Sequence, residues 1–567
     1  MKRLFLFFVC FVFLVSAVSA DDPTSDVPLS HRVYRTLDRF EARGWFDAPA
    51  SGVRPYTRRQ AARFLLRILR RADSGASLSQ TERGILDRHR AEFAGELARL
   101  GYARASSPPK REMVGRLFGG DNLFAWQDSV ASVAIDPLFR QRVLLVRGGG
   151  RTAETVSQTY VGGIVRGTFH NRVGFRIRHF EAREWSTRMR TSRGDVVARP
   201  IEDVQLKGKT VDFREAAFQL IWAAPWFDLD IGKGSLDWGP GRTGNLFLTD
   251  HAPPFGLVRL RASYGRVGFT HVVGLLRARP GLIDSARTRM DNGHVRTFLR
   301  SKHLVAHRVE IALSRRVSLG LQEAVVYGDR RPEFLYLPPV TVLIAAQTYI
   351  GDRDNLIMGL DLSARPARNL RAYFALFFDD LKKFSPGAFS NKFALQVGFL
   401  WVDPFRLPDT DLQMEYIRLE PFVYSHHFDI NTHEHFDALL GYPSGPNADR
   451  IFGSVTHRFS PALSLRVALD RERQGENILN PDGSLVNVGG DAEQGQRPLD
   501  PLTKRFMDGI RETRTRLGVG VVYEPLRDLL FTLQYRATAA GNVLLPGGNR
   551  GDGRIHTWTV TADFNFF

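Results

Sequence analysis

The chain has 567 residues, 43% hydrophobic and 24% charged, with 78 Lys and Arg against 60 Asp and Glu for a formal charge of +18. A single cysteine, Cys10, excludes a disulfide framework or a thiolate metal centre. Beyond the N-terminus no apolar run is long enough for a membrane helix, and apolar residues spread this thinly suit period-2 alternation.

Lys2 and Arg3 precede an apolar run from Leu4 to Val15, and Val18-Ser-Ala20 offers small residues for cleavage before Asp21. Residues 1–20 therefore read as a secretory signal peptide. Cys10 lies inside the apolar run, which does not suit lipoprotein processing. Cleavage leaves 76 Lys and Arg against 60 Asp and Glu, a balance of +16. Export excludes nucleic acid as a partner. The basic excess fits phosphate-bearing lipopolysaccharide, acidic glycans, or arginines that line a wet barrel lumen.

Residues 21–109 read as a small periplasmic α-helical bundle and linker. Val33, Leu37 and Phe40 fall on one helical face before Gly44. Thr57-x-x-Gln60 is a capping box opening a helix with the apolar face Ala61, Phe64, Leu65, Ile68 and Leu69. Ser79-x-x-Glu82 opens a third, carrying Ile85, Leu86, His89, Phe93, Leu97 and Leu100; His89 reads as a core histidine. Ser106-Ser-Pro-Pro109 reads as a linker to a barrel domain over 110–567.

From Trp126 onward the helical period gives way to alternation. Strands are predicted at 138–147, 157–169, 172–184, 213–222, 226–234, 257–264, 267–277, 303–314 and 317–328. They continue at 355–364, 369–379, 393–402, 412–425, 450–459, 463–473, 513–524, 528–538 and 556–566, making 18. Residues 126–135 are either a nineteenth strand or a lead-in. The connections alternate short (His170-Asn171, Gly265-Arg266) and long (235–256, 329–354, 474–512), as periplasmic turns and outer loops do. The last run ends on Phe567, a terminal aromatic that resembles the insertion signal of outer-membrane barrels. The predicted class is an all-β membrane protein: a closed antiparallel outer-membrane β-barrel of about 18 strands with its N-terminal domain in the periplasm.

Asp237-Trp-Gly-Pro-Gly-Arg-Thr-Gly-Asn-Leu246 and Asp250-His-Ala-Pro-Pro254 lie in one long loop whose glycines and prolines specify a tight conformation. Trp238, Arg242, Asn245 and Asp250 offer a flat face, a donor fork, an amide and a carboxylate, which suits a sugar ring. The same residues would equally serve a loop that folds inward to plug the lumen. His426, His427, His433 and His435 share one loop without metalloprotease spacing, so no metal or cofactor is predicted. Asp354 and Asn355, with Asp379 and Asp380, place polar and acidic groups at the outer rim. Paired carboxylates catalyse glycoside hydrolysis only at a fixed separation, and no catalytic residue is predicted. Gly148-Gly-Gly150 reads as a hairpin tip.

The 238–246 segment with Asp-x-Ala-Pro-Pro behind it resembles the capsule-assembly Wzi family of outer-membrane proteins. So do Gly351-Asp-Arg-Asp-Asn-Leu-Ile-Met-Gly-Leu-Asp361, Phe378-Asp-Asp380, Glu420-Pro-Phe-Val-Tyr-Ser-His426, Leu440-Gly-Tyr-Pro-Ser-Gly-Pro-Asn-Ala-Asp449 and the opening His31 to Gly44. The resemblance implies an 18-stranded barrel with a periplasmic helical bundle. It implies a lectin that holds capsular or extracellular polysaccharide at the cell surface, neither an enzyme nor an open pore. Loops 235–256, 329–354 and 426–449 would converge over the mouth. Trp238 would stack a sugar and Arg242 would pair with a uronate or phosphate, while Asn245, Asp250, Asn447 and Asp449 would bond hydroxyls or brace loops. Asp354, Asn355, Asp379 and Asp380 complete the expected polysaccharide-binding set. The insertion 474–512 has no counterpart in that family's pattern. The competing class is an anion-selective porin or solute channel. Asp26 to Gly44 and Arg54 to Ala62 also resemble a single surface-layer-homology module, which implies a peptidoglycan tether.

Overall fold

Alternating side chains over strands of this length give a sheet with one apolar and one polar face, and closure removes the unpaired edges that lipid would not tolerate. The computed structural model describes residues 24–46, 51–102, 122–128, 130–170, 172–187, 204–224, 226–381, 387–545 and 549–565. The expected signal peptide, the 106–109 linker and Phe567 lie outside the described residues.

The barrel strands are β1 (Ala131–Gly148), β2 (Arg151–Phe169), β3 (Val173–Ser186), β4 (Thr210–Ala223), β5 (Phe227–Gly234) and β6 (Phe255–Tyr264). Next come β7 (Val267–Arg277), β8 (Ser301–Ala312), β9 (Val317–Gly328), β10 (Asn355–Ala367), β11 (Leu370–Leu381) and β12 (Asn391–Val402). The circuit ends with β13 (Thr410–Leu419), β14 (Ala448–Arg458), β15 (Leu463–Glu476), β16 (Ile510–Leu526), β17 (Leu529–Leu544) and β18 (Arg550–Phe564). Each pairs antiparallel with the next, and β18 closes on β1 from Ile555↔Gly148 to Phe564↔Phe139. The barrel thus has the 18 strands expected, in sequence order. Residues 126–135 divide: Phe124–Gln127 is a short lead-in strand on Ser132–Ile135, and 131–135 begins β1. Two boundary errors stand out: β1 begins at Ala131, seven residues before the predicted 138, and the strand predicted at 412–425 ends six residues early. There β13 stops at Leu419 because the chain turns into the lumen, with Phe422 and Tyr424 at φ 68° and 71°.

The outward face is apolar, as pairs such as Phe218 and Leu220, Val467 and Leu469, or Phe531 and Leu533 show. Exposed Phe169, Trp226, Tyr264, Phe405 and Phe459 ring the short-turn end, the periplasmic girdle of a membrane barrel. Inward side chains are polar and paired, for example Arg308 with Asp361 at 2.5 Å and Arg259 with Asp230 at 2.5 Å.

The N-terminal helices are α1 (Val33–Ala42), α2 (Arg58–Asp73), α3 (Gln80–Glu92) and α4 (Ala94–Arg99). Both capping boxes form, at Thr57–Gln60 and Ser79–Glu82, and the predicted apolar faces meet in one core. His89 sits in that core, 3.0 Å from the Thr36 hydroxyl.

The helices do not hang below the barrel as a separate bundle. They fill its periplasmic mouth. Arg39 on α1 bonds Asp403 (2.6 Å) and Asp411 of the wall, Arg32 pairs with Glu524, and Asp26 meets Arg259 and Arg261. Val53–Arg54 even adds a two-residue strand to Asp237–Trp238 of the long loop after β5. The segments that resemble a surface-layer-homology module thus direct these charged groups to the barrel wall.

Candidate functional site

The loop between β5 and β6 turns into the lumen immediately after Gly234. Its sequence permits a very tight fold. A Cβ on Gly239 would come within 2.4 Å of Asn245 Oδ1, and one on Gly241 within 2.2 Å of the Gly244 carbonyl. Asn245 locks the turn: Oδ1 accepts from the Gly241 amide at 2.8 Å, and Nδ2 donates to Asp237 at 2.6 Å. Trp238 is 0% exposed and stacks on Phe247 with centroids 6.1 Å apart and an interplanar angle of 6°. Both rings belong to an apolar cluster with Leu246, Leu248, Phe377, Tyr424, Leu440 and Tyr442 inside the barrel.

The second inward loop, 420–447, packs on the first. Tyr424 donates to the Leu246 carbonyl (2.7 Å), and the ring of His433 bonds the Phe247 carbonyl (2.7 Å). Burial pushes the His433 pKa down to about 4, so it is a neutral brace at physiological pH. His435 Nδ1 accepts from the Arg277 amide at 2.9 Å. The 474–512 insertion forms a lid on this layer: the Phe422 amide donates to the Gly489 carbonyl (2.9 Å), and Asn447 Nδ2 donates to the Asp508 carbonyl (3.0 Å).

The two plugs touch. Arg242 of the first loop forms a short ion pair with Asp38 of α1, and Asp38 also receives Arg54 (2.6 Å) and Arg371 (3.3 Å). Helices from the periplasmic side and loops from the outer side thus meet in mid-lumen.

This geometry leaves Trp238 and Arg242 without the free surface a sugar contact needs, and gives Asn245, Asn447 and Asp449 the loop-bracing role that was one of the two expected of them. A fully buried Trp238 has no free face for a sugar, and Arg242 is engaged by Asp38 below the seal. Asn245 is a turn lock. Asn447, also buried, holds the 474–512 lid through Gly475, Met507 and Asp508. Asp449 is held by Arg473 (2.9 Å), and Asp354 by Arg330 (2.9 Å) and the Tyr336 hydroxyl (2.8 Å). Asn355 donates to the Asn431 carbonyl at 2.9 Å, and Asp379 accepts from the Tyr424 amide at 2.6 Å. Asp380 sits on a β-bulge opposite Lys392. Asp250 is solvent-accessible, but it lines the internal cavity rather than the outer surface.

The loop 329–354 also departs from expectation. Tyr336, Leu343 and Ala346 pack on Val305, Val325 and Tyr327, which point away from the lumen, so this loop lies along the outer wall near the rim. Its end, 351–355, meets the 426–431 turn, where Asn431 Nδ2 donates to the Arg353 carbonyl at 3.1 Å. Here a surface emerges that residue typing alone overlooked. Phe428 is 49% exposed, edge-on to exposed His427, and the exposed Arg353 makes no side-chain ion pair among the described residues. Arg353 stands in the 351–361 motif, whose carboxylates mask it, and Phe428 lies two residues beyond the 420–426 motif among histidines.

Burial, and then the nearby Asp250, push the Asp237 carboxyl up to about 7. An acid whose folded pKa is raised favours the folded loop below its unfolded pKa, roughly 3.9. That contribution is lost as pH rises through about 7. Trp238 fluorescence is expected to report a loosening loop between pH 5 and 8, and the Asp237→Asn variant to remain flat over this range.

A family described as capsule assembly protein Wzi matches residues 141–552. Among solved structures, the chain is similar to Escherichia coli Wzi, an outer membrane protein involved in group 1 capsule assembly and a carbohydrate-binding β-barrel. The two share 11% identity over 94% of this chain and 99% of that one, with a TM-score of 0.53. It is also similar to Acinetobacter baumannii OccAB2 (9% identity, 77% of this chain and 100% of that one, TM-score 0.43). Pseudomonas aeruginosa OpdK with vanillate gives 10% identity over 76% of this chain and 98% of that one, with a TM-score of 0.42. No curated protein matches the chain by sequence.

Proposed function

Because the chain belongs to the capsule assembly protein Wzi family, we propose that it binds extracellular polysaccharide and retains it on the outer face of a sealed outer-membrane barrel, without a catalytic step. The double plug carries this reading. Buried apolar packing between the 235–254 and 420–447 loops closes the outer half of the lumen, and α1 closes the periplasmic half. A lumen closed twice suits a holding surface better than a solute channel.

In this reading Phe428 supplies the stacking face and Arg353 the cation for a uronate or phosphate. Asn355, Asn447, Asp354 and Asp449 keep the underlying loops rigid, so little ordering entropy is lost when a glycan docks. Repetition of a weak contact along a polymer supplies avidity. The Phe428→Ala, Arg353→Ala double variant is expected to lower retention of acidic polysaccharide by roughly tenfold per site, about 1.4 kcal/mol. Unchanged retention by a correctly inserted variant would place the binding surface elsewhere on the outer loops.

A further inference from the structure

Between α1 and the inner faces of β13–β17 lies a cavity of about 700 Å³. It extends from the periplasmic turn Ser460–Ala462 up to Gly241–Gly244 of the inward loop. That volume is within the range of small-molecule sites. Most arginines that line it are already engaged: Arg32 and Arg88 with Glu524, Arg140 with Asp563, Arg242 and Arg54 with Asp38, and Arg458 with Asp411. Arg35 and Arg466 differ. Neither has a carboxylate partner among the described residues.

Arg35 projects from α1 into the cavity and is solvent-accessible there, although it lies deep within the barrel. Arg466 projects from β15 on the opposite wall, where it donates to Ser454 (3.3 Å), lies 5.6 Å from the Phe452 ring centroid, and has its Nε buried without a hydrogen-bond partner among the described residues. Burial lowers the Arg35 pKa to about 10, and the guanidiniums of Arg466, Arg242 and Arg458 add to the effect. Two cations that act on one another and have no ion-pair partner among the described residues leave a local positive potential that an anion would neutralise. Ser454, Thr456, Ser464 and Thr532 line the same space with hydroxyls.

We propose that this cavity is an internal binding site for a sugar-borne oxyanion, a uronate carboxylate or a sugar phosphate, clamped between Arg35 and Arg466 and bonded through its hydroxyls by the serine and threonine wall. The site lies on the periplasmic side of the outer-loop seal, so its ligand is a short saccharide rather than surface polymer. It does not depend on the outer face built around Phe428.

The test is calorimetric titration of the full-length, detergent-folded barrel with glucuronate, inorganic phosphate and neutral glucose. Glucuronate or phosphate should bind, glucose should not, and whichever anion binds more tightly identifies the oxyanion. Arg35→Gln and Arg466→Gln should each weaken anion binding at least tenfold. Removing one of two unpaired like charges should leave the thermal midpoint unchanged or raised, so a loss of binding will not be confused with unfolding. The Phe428→Ala, Arg353→Ala variant should bind the small anions normally. No anion binding by the wild type, or binding of wild-type strength by both glutamine variants, would overturn the proposal.

Discussion

Asp38→Ala is expected to destabilise the periplasmic plug by roughly 3–5 kcal/mol, the usual consequence of removing one partner from a buried charge network. Asp38 is 2% exposed and is the shared carboxylate for Arg54, Arg242 and Arg371. Without it, the half-buried guanidiniums of Arg54 and Arg242 would face the buried Arg371, which would keep only Glu41 (3.5 Å) as a carboxylate partner among the described residues. Burial alone would raise the Asp38 pKa, but Arg242, Arg54 and Arg371 override it and hold the group at about 2. A depressed carboxylate contributes stability that is present above its unfolded pKa, roughly 3.9, and is lost as pH falls through the folded value. The wild-type plug should therefore stay seated down to about pH 4, whereas the variant should loosen at neutral pH. Faster tryptic cleavage at Arg39 and Arg43 on the folded barrel, together with new planar-bilayer conductance, would report the loosening. Asp38→Asn should fall between the two, because the amide still accepts hydrogen bonds but carries no charge. Wild-type protease resistance in Asp38→Ala would mean that the helices are held by their other wall contacts alone.

Trp238→Ala should open the outer seal. Truncating a buried aromatic leaves a void whose lining loses its dispersion contacts, at a cost of about 3–5 kcal/mol. The affected partners are specific: Phe247 loses its stacked neighbour, and the Trp238 to Leu248 and Gly239 to Gly52 backbone bonds lose the ring that shields them. Amide exchange at Gly239 and Thr249 is expected to accelerate by roughly 10²–10³-fold, since local opening is governed by the lost packing. Trp238→Phe should be close to neutral. The indole Nε1 is buried without a hydrogen-bond partner, so removing it offsets part of the lost area. If Trp238→Ala leaves exchange unchanged but lowers glycan binding, the ring faces a ligand in solution and the inward seal is not its resting state.

The barrel was legible because its signal is repeated. Period-2 alternation and alternating connection lengths recur around the whole circuit, so an error of two or three residues in any strand leaves the count and order intact. The helices were legible from Thr57–Gln60 and Ser79–Glu82, where a local hydrogen-bond pattern has a local sequence signature. Their docking was not. Arg39 with Asp411 and Asp38 with Arg242 are pairs separated by hundreds of residues, and an arginine destined for the lumen looks like one destined for solvent.

The burial of Trp238 and the pairing of Arg242 with Asp38 were not legible for a related reason. Trp, Arg, Asn and Asp in a glycine-rich loop are the groups that bind sugars, and they are also the groups that lock a buried loop to itself. Residue type could not separate Trp238, with no exposed face, from Phe428, which has one. The inward turn that buries Trp238 depends on Leu440, Tyr424 and Tyr442, which arrive from a loop some 200 residues later. The alternative of an inward plug, weighed equally from the sequence, describes where the 237–246 segment lies.

The most direct test of a sealed surface-binding barrel is co-sedimentation of the full-length, detergent-folded protein with acidic capsular polysaccharide purified from its own host, against dextran of matched length. Retention of the acidic polymer, weakened by salt and absent for dextran, is the result this account predicts. Failure to retain the host polymer at low salt by protein that keeps its plug protease-resistant would contradict it.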